Sequence, residues 1–92
     1  MSRCRVHVFY AGRVQGVGFR YTVKSLVTGF EVTGTIRNLS DGRVELIAEG
    51  AKEELEAFQQ GIQESGLGPL IDDEEASWSD ARGVFCGFEI IR

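Results

Sequence analysis

The chain has 92 residues, 42% of them hydrophobic and 10% aromatic, which predicts one globular domain over residues 1–92 with a single small core and room for one active site. Its formal charge is −4 and its pI about 4.9, whereas a surface that grips a nucleic-acid backbone needs Lys and Arg in excess, so no nucleic-acid partner is expected. No apolar run approaches the roughly 20 residues of a membrane span, and Met1-Ser2-Arg3-Cys4-Arg5 lacks the apolar stretch of a secretory signal, so a cytoplasmic chain with no membrane partner is expected.

The first element is a strand. Cys4, Val6, Val8 and Tyr10 alternate with Arg3, Arg5 and His7, which puts one set on a covered face and the other in solvent. His7, the only histidine, falls with the arginines and reads as a plain surface position. After the turn Gly12 to Arg20, the residues Phe19, Val23, Leu26, Val27 and Phe30 follow the i, i+4, i+7, i+8, i+11 spacing of one helical face, so a first helix is predicted to end near Phe30.

Val32 to Leu39 is rich in Val, Thr and Ile and runs into Ser40-Asp41-Gly42, which reads as a strand ending in a turn. Arg43 to Glu49 then alternates Val44, Leu46 and Ala48 against Arg43, Glu45 and Glu49 as the hairpin partner, with Ile47 the one misfit. Gly50 to Ser65 is a second helix with a narrow stripe of Leu55, Phe58 and Ile62 and acids near its positive end.

Gly66, Gly68 and Pro69 break that helix. The segment Ile71 to Ser79 carries Asp72-Asp73-Glu74-Glu75, which suits an exposed edge strand better than a metal site, because adjacent strand residues point to opposite faces. Trp78 reads as a core or sheet-face anchor. Val84 to Ile91 closes the chain as an apolar strand. Cys4 and Cys86, on the two terminal strands and without metal spacing, read as buried thiols. The order strand, helix, strand, strand, helix, strand, strand predicts a ferredoxin-like α+β sandwich, two helices on one face of a mostly antiparallel five-stranded sheet.

The turn between the first strand and helix carries the chemistry. Gly12, Gly16 and Gly18 let the backbone aim consecutive N–H groups at one point, and the following helix adds its own free N–H groups and positive dipole end. Arg20, in the first helical turn, adds a permanent cation whose forked donors match phosphate geometry. A tight connection alone would also use such glycines.

A second stretch bears on that choice. Val14-Gln15-Gly16-Val17-Gly18-Phe19-Arg20 together with Gly34-Thr35-Ile36-Arg37-Asn38 resembles the acylphosphatase family, whose signature is a V-Q-G-V-G-F-R loop and, after one helix, a G-W-V-R-N strand end. The similarity continues through Asp41-Gly42-Arg43-Val44-Glu45, Glu49-Gly50, Phe58, Gly68-Pro69 and Gly87-Phe88-Glu89-Ile90, nearly the whole chain. It departs at packing positions: Thr35 replaces an aromatic, Val27 a small residue and Glu31 a helix-closing glycine, and Gly29 is placed to end the first helix early.

The chemistry of the residues and the resemblance agree. Phosphoryl transfer needs mainly positioning and neutralisation of the equatorial oxygens, which the amides of Gln15, Gly16, Val17, Gly18 and Phe19 and the Arg20 guanidinium can supply. No Walker lysine follows the glycines. A leaving group with a conjugate-acid pKa of about 4 departs without a general acid, which favours an acyl phosphate as the small-molecule substrate. The uncharged amide of Asn38 can hold a water. The resemblance implies the same two roles, phosphate binding at Arg20 and water positioning at Asn38. A monomeric, metal-independent hydrolase with no cofactor is expected. Two rival classes are a non-catalytic module binding a phosphorylated metabolite and an RNA-binding domain; the latter would show aromatics on its central strands, and Arg43 to Glu49 has none.

Overall fold

A computed structural model describes residues 3–92. Met1 and Ser2, the start of the terminus read above as lacking a secretory signal, lie outside the described residues. Period-two alternation makes the first strand, β1 (Arg3–Gly12), in which Val6, Val8 and Tyr10 are fully buried on one face while Arg5, His7 and Phe9 take the other. β2 (Val32–Asn38) and β3 (Val44–Ala51) form the hairpin, and β4 (Ile71–Asp80) and β5 (Phe88–Ile90) complete a five-stranded sheet in the order β4-β1-β3-β2-β5. Neighbours are antiparallel except β2 and β5, which are parallel.

The helices α1 (Phe19–Val27) and α2 (Lys52–Glu64) cover the face that carries Val6, Val8, Val44 and Leu46, and bury Phe19, Val23, Leu55, Phe58 and Ile62 against it. Phe58 packs its ring 5.5 Å from that of Phe30 and 6.1 Å from that of Phe88, so one aromatic ties α2 to the segment entering β2 and to β5. α1 stops at Val27 rather than near Phe30. The Thr28 hydroxyl donates back to the Ser25 carbonyl at 2.9 Å, and the N–H groups of Gly29 and Phe30 donate to Leu26 and Val27, three residues back, which tightens the last turn. Phe30 still reaches the core from outside the helix.

The final strand is shorter than expected, and the sheet order explains why. β4 and β5 lie at opposite edges, so residues 81–87 must cross the sheet between them. Four strand spacings of about 4.8 Å make roughly 19 Å, and seven residues reach at most about 25 Å, so the crossover runs nearly extended and pairs with β2 only from Phe88 onward. It passes over the face without helices. There Glu49, fully buried, accepts from the Arg5 guanidinium at 2.7 Å and the Arg82 N–H at 2.9 Å on one carboxylate oxygen, and from the Gly83 N–H at 3.0 Å on the other. Glu45 joins Arg37 at 2.6 Å and His7 at 2.8 Å.

These contacts bear on several sequence-based readings. Glu45 and Glu49, on the face opposite Val44, Leu46 and Ala48, are buried beneath the crossover and the ion pairs; Ile47, the misfit between them, is half-buried on the same face. His7 is no plain surface position, since its ring also lies 4.6 Å from that of Phe9. Cys86 is exposed in the crossover, outside any strand, and Cys4 is half-buried at the margin of the core; both are free thiols.

Two other expectations hold in part. β4 is an edge strand: Glu74 faces α2 and accepts from Gln59 and Gln63, while Glu75 pairs with Phe9 on the opposite face, so the adjacent acids diverge. Among the described residues no three potential ligands converge on a metal position. Trp78 lies on the helix-covered face opposite Val6 but is 41% exposed, with the Lys52 amine 6.0 Å over its ring, and is not a core residue. Among the described residues no helix is long and apolar enough to cross a membrane.

Candidate active site

The turn after β1 is held at both ends by apolar anchors. Val14 is 1% exposed and Phe19 2%, with the Phe19 ring 5.2 Å from that of Tyr10, while Gly16, Val17 and Gly18 between them face solvent. At its entry the Arg13 N–H donates to the Leu70 carbonyl at 2.9 Å. Gly16 and Gly18 have φ of 77° and 78°, the left-handed region, which costs other L-residues about 1–2 kcal/mol. A Cβ at either would meet nothing within 4 Å, so the requirement is conformational, and the space above the turn is open to a ligand.

Gly18 is also the N-cap of α1. No side chain caps this helix and no acid stands in its first turn, so its leading N–H groups and positive dipole end belong to the same turn. Arg20 is half-buried in that first helical turn. Arg5, Arg37 and Arg43 each hold a carboxylate, whereas among the described residues Arg20 has none. The charge nearest the glycines is therefore not neutralised by the protein.

Asn38 is the last residue of β2. It pairs with Val44, which in turn pairs with Tyr10, so one row across the sheet joins Asn38 to the strand that leads into the turn. Tyr10 and Val44 are both fully buried under the helices, which puts Asn38 on the α1 side of the sheet. Its Oδ1 is shielded from solvent and has no hydrogen-bond partner. Leaving a buried acceptor unpaired would cost about 1–3 kcal/mol, so one without a protein partner at the end of a strand is suited to a bound water.

A contact that sequence reasoning missed connects these parts. Only the main-chain amide of Gln15 was assigned a role there; its side chain donates from Nε2 to the carbonyls of Leu39 at 2.8 Å and Arg43 at 2.9 Å. Nothing in the local pattern points to it, because the partners lie 24 and 28 residues away. The turn and the hairpin bearing Asn38 are thus bonded directly to each other.

A cavity of about 540 Å³ lies at the other end of α1 and is lined by Glu31, Glu53 and Glu54, carboxylates that would repel an anion. The glycine turn has no such acid at the start of α1. Fold and turn define a ferredoxin-like α+β domain with a glycine-rich strand-to-helix connection.

Residues 6–90 match the acylphosphatase family. The acylphosphatase of Trichormus variabilis is 40% identical over 88 residues, covering 96% of this chain and 86% of that protein. The crystal structure of acylphosphatase from Bacillus subtilis superposes with a TM-score of 0.86 at 31% identity, covering 97% of this chain and 99% of that one. Full-length HypF, in its phosphate- and nucleotide-bound form, contains a region that matches with a TM-score of 0.85 at 26% identity, covering 98% of this chain but 12% of HypF. The chain belongs to the acylphosphatase family.

Proposed function

We propose that the chain is an acylphosphatase that hydrolyses small acyl phosphates to carboxylate and orthophosphate through the turn and Asn38. The reading rests chiefly on one observation: a turn with two left-handed glycines, the uncapped start of α1, and an Arg20 without a carboxylate partner among the described residues meet at one end of the sheet. The amides of Gln15 to Phe19 and the Arg20 guanidinium hold the phosphoryl oxygens and neutralise their charge as the bond to the acyl oxygen loosens. The leaving carboxylate needs no proton. Asn38 Oδ1 accepts a hydrogen from the attacking water and holds it in line with phosphorus.

An amide is not a base, so in this mechanism the water loses its proton late, when the phosphoryl group has drawn it in. The acyl-phosphate chemistry asks for no metal, and the divergence of the acidic run on β4 supports that view. We read residues 1–92 as one catalytic unit, monomeric and cytoplasmic, and its net charge of −4 supports the absence of a nucleic-acid partner. Orthophosphate and sulfate should compete for the turn. In steady-state assays, millimolar amounts of either should raise KM for an acyl phosphate and leave kcat unchanged; an unchanged KM would remove the turn as the phosphate site.

The likeness to a region within HypF favours one second reading, that the domain binds a phosphorylated metabolite without turning it over. Product formation separates the two.

A further inference from the structure

We infer that the side chain of Gln15 is a positioning residue, a clamp that sets the distance between the phosphate cradle and the water held by Asn38; the inference rests on the function proposed above. A carboxamide has two N–H donors, and both of Gln15's are directed at carbonyls across the site. Those carbonyls belong to Leu39 and Arg43, the pair that closes the β2–β3 hairpin through the Leu39 N–H to Arg43 carbonyl bond at 2.8 Å. Leu39 follows Asn38 directly in the chain. The Arg43 carbonyl receives a second bond from Gln15, using both of its lone pairs.

The geometry gives this clamp a particular task. The Asn38 Oδ1 has no protein partner to orient it, so its place relative to the turn depends on the backbone that carries it. That backbone is fixed on one side by the pairing of Asn38 with Val44 and on the other by Gln15. Gln15 is also a member of the cradle through its own N–H, so one residue spans both halves of the reaction: its main chain faces the phosphoryl group and its side chain holds the strand end that carries the water. An in-line attack tolerates little error, since a misplacement of about 1 Å can cost roughly 10²-fold in rate.

The test is a double-mutant cycle with Gln15→Met, which keeps the length of the side chain and removes both donors. In the parent, Gln15→Met should lower kcat about tenfold and leave the inhibition constant of orthophosphate within about twofold, because the main-chain amides of the turn remain. In the Asn38→Ala background it should change kcat by less than about twofold, because the group it positions is gone. Equal losses in both backgrounds would overturn the clamp while leaving the proposed function intact; an Asn38→Ala variant with parental kcat would place water positioning elsewhere and overturn the clamp with it, and only a parent that forms no product would overturn the function itself. Should Gln15→Met fail to fold, Gln15→Glu decides. Its carboxylate keeps the length of the side chain and cannot donate at neutral pH, so its kcat should fall about tenfold in the parent and by less than about twofold in the Asn38→Ala background; equal losses would contradict the clamp.

Discussion

Arg20→Ala should raise KM as well as lower kcat, and Asn38→Ala should lower kcat with phosphate affinity nearly unchanged. The difference follows from when each group acts. In the proposed mechanism Arg20 meets the phosphoryl oxygens in the ground state and in the transition state, so its loss weakens both, while Asn38 touches only the water. Removing a preorganised donor to developing charge typically costs roughly 10²- to 10³-fold, about 3–4 kcal/mol, and each substitution should do at least that. Arg20→Lys should recover little, because an ammonium cannot make the two-pronged contact of a guanidinium. Melting temperature is the control: Arg20 has no carboxylate partner among the described residues and Asn38 Oδ1 has no partner to lose, so both variants should melt within a few degrees of the parent. An Asn38→Ala variant that keeps more than half the parental kcat would place water positioning elsewhere.

The largest effect on stability is expected far from the chemistry, at Glu49. Glu49→Ala removes the acceptor of three hydrogen bonds and leaves the Arg5 guanidinium, whose side chain is 11% exposed, without its partner beneath the crossover. Orphaning one member of a buried ion pair costs about 3–5 kcal/mol, which for a domain of this size lowers Tm by roughly 10–20 °C or more. The same carboxylate makes the fold sensitive to acid. Burial alone would raise its pKa, but the Arg82 N–H, the Arg5 guanidinium and the Gly83 N–H outweigh burial and hold it below the ordinary value of 4.5. Glu45 moves the same way: the bonds from Arg37 and His7 overcome its burial.

The sign is fixed by the direction of these shifts. A carboxyl that is more acidic folded than unfolded stabilises the fold in full above its unfolded pKa, and that contribution is lost as pH falls through the folded value. The parent should therefore hold its urea midpoint down to about pH 5 and lose it below about pH 4.5, while Glu49→Gln, less stable at pH 7, should show a shallower decline. Parallel curves for the two proteins would remove Glu49 as a source of the acid sensitivity.

Local patterns carried much of the architecture because most elements obey one period. Val6, Val8 and Tyr10 mark a covered strand face, Leu55, Phe58 and Ile62 mark a helical stripe, and both lie where the periods put them. The glycine turn was legible for a similar reason: only a residue without a Cβ takes the φ of Gly16 and Gly18 easily, so the residue type announces the backbone. What failed were positions decided by contacts distant in sequence. Glu45 and Glu49 alternate against the apolar set, and are buried because a crossover more than 30 residues later lies over Glu49 and because Arg37 and His7 close over Glu45. Cys86 belongs to that crossover, and no local signal separates an extended crossing from a strand. Gln15 shows both sides at once, since its place in the turn was read from the motif and its side-chain bonds to the hairpin were not.

The central claim is that this site turns over an acyl phosphate using its own amides, Arg20 and Asn38. Steady-state hydrolysis of a small aromatic acyl phosphate by the purified chain, in the presence of a chelator, tests it most directly. The account predicts release of orthophosphate and the aromatic acid in equal amounts, at a rate the chelator does not change. Saturable binding of the acyl phosphate with no product above the uncatalysed rate, or activity that vanishes on chelation and returns with Mg²⁺, would contradict it.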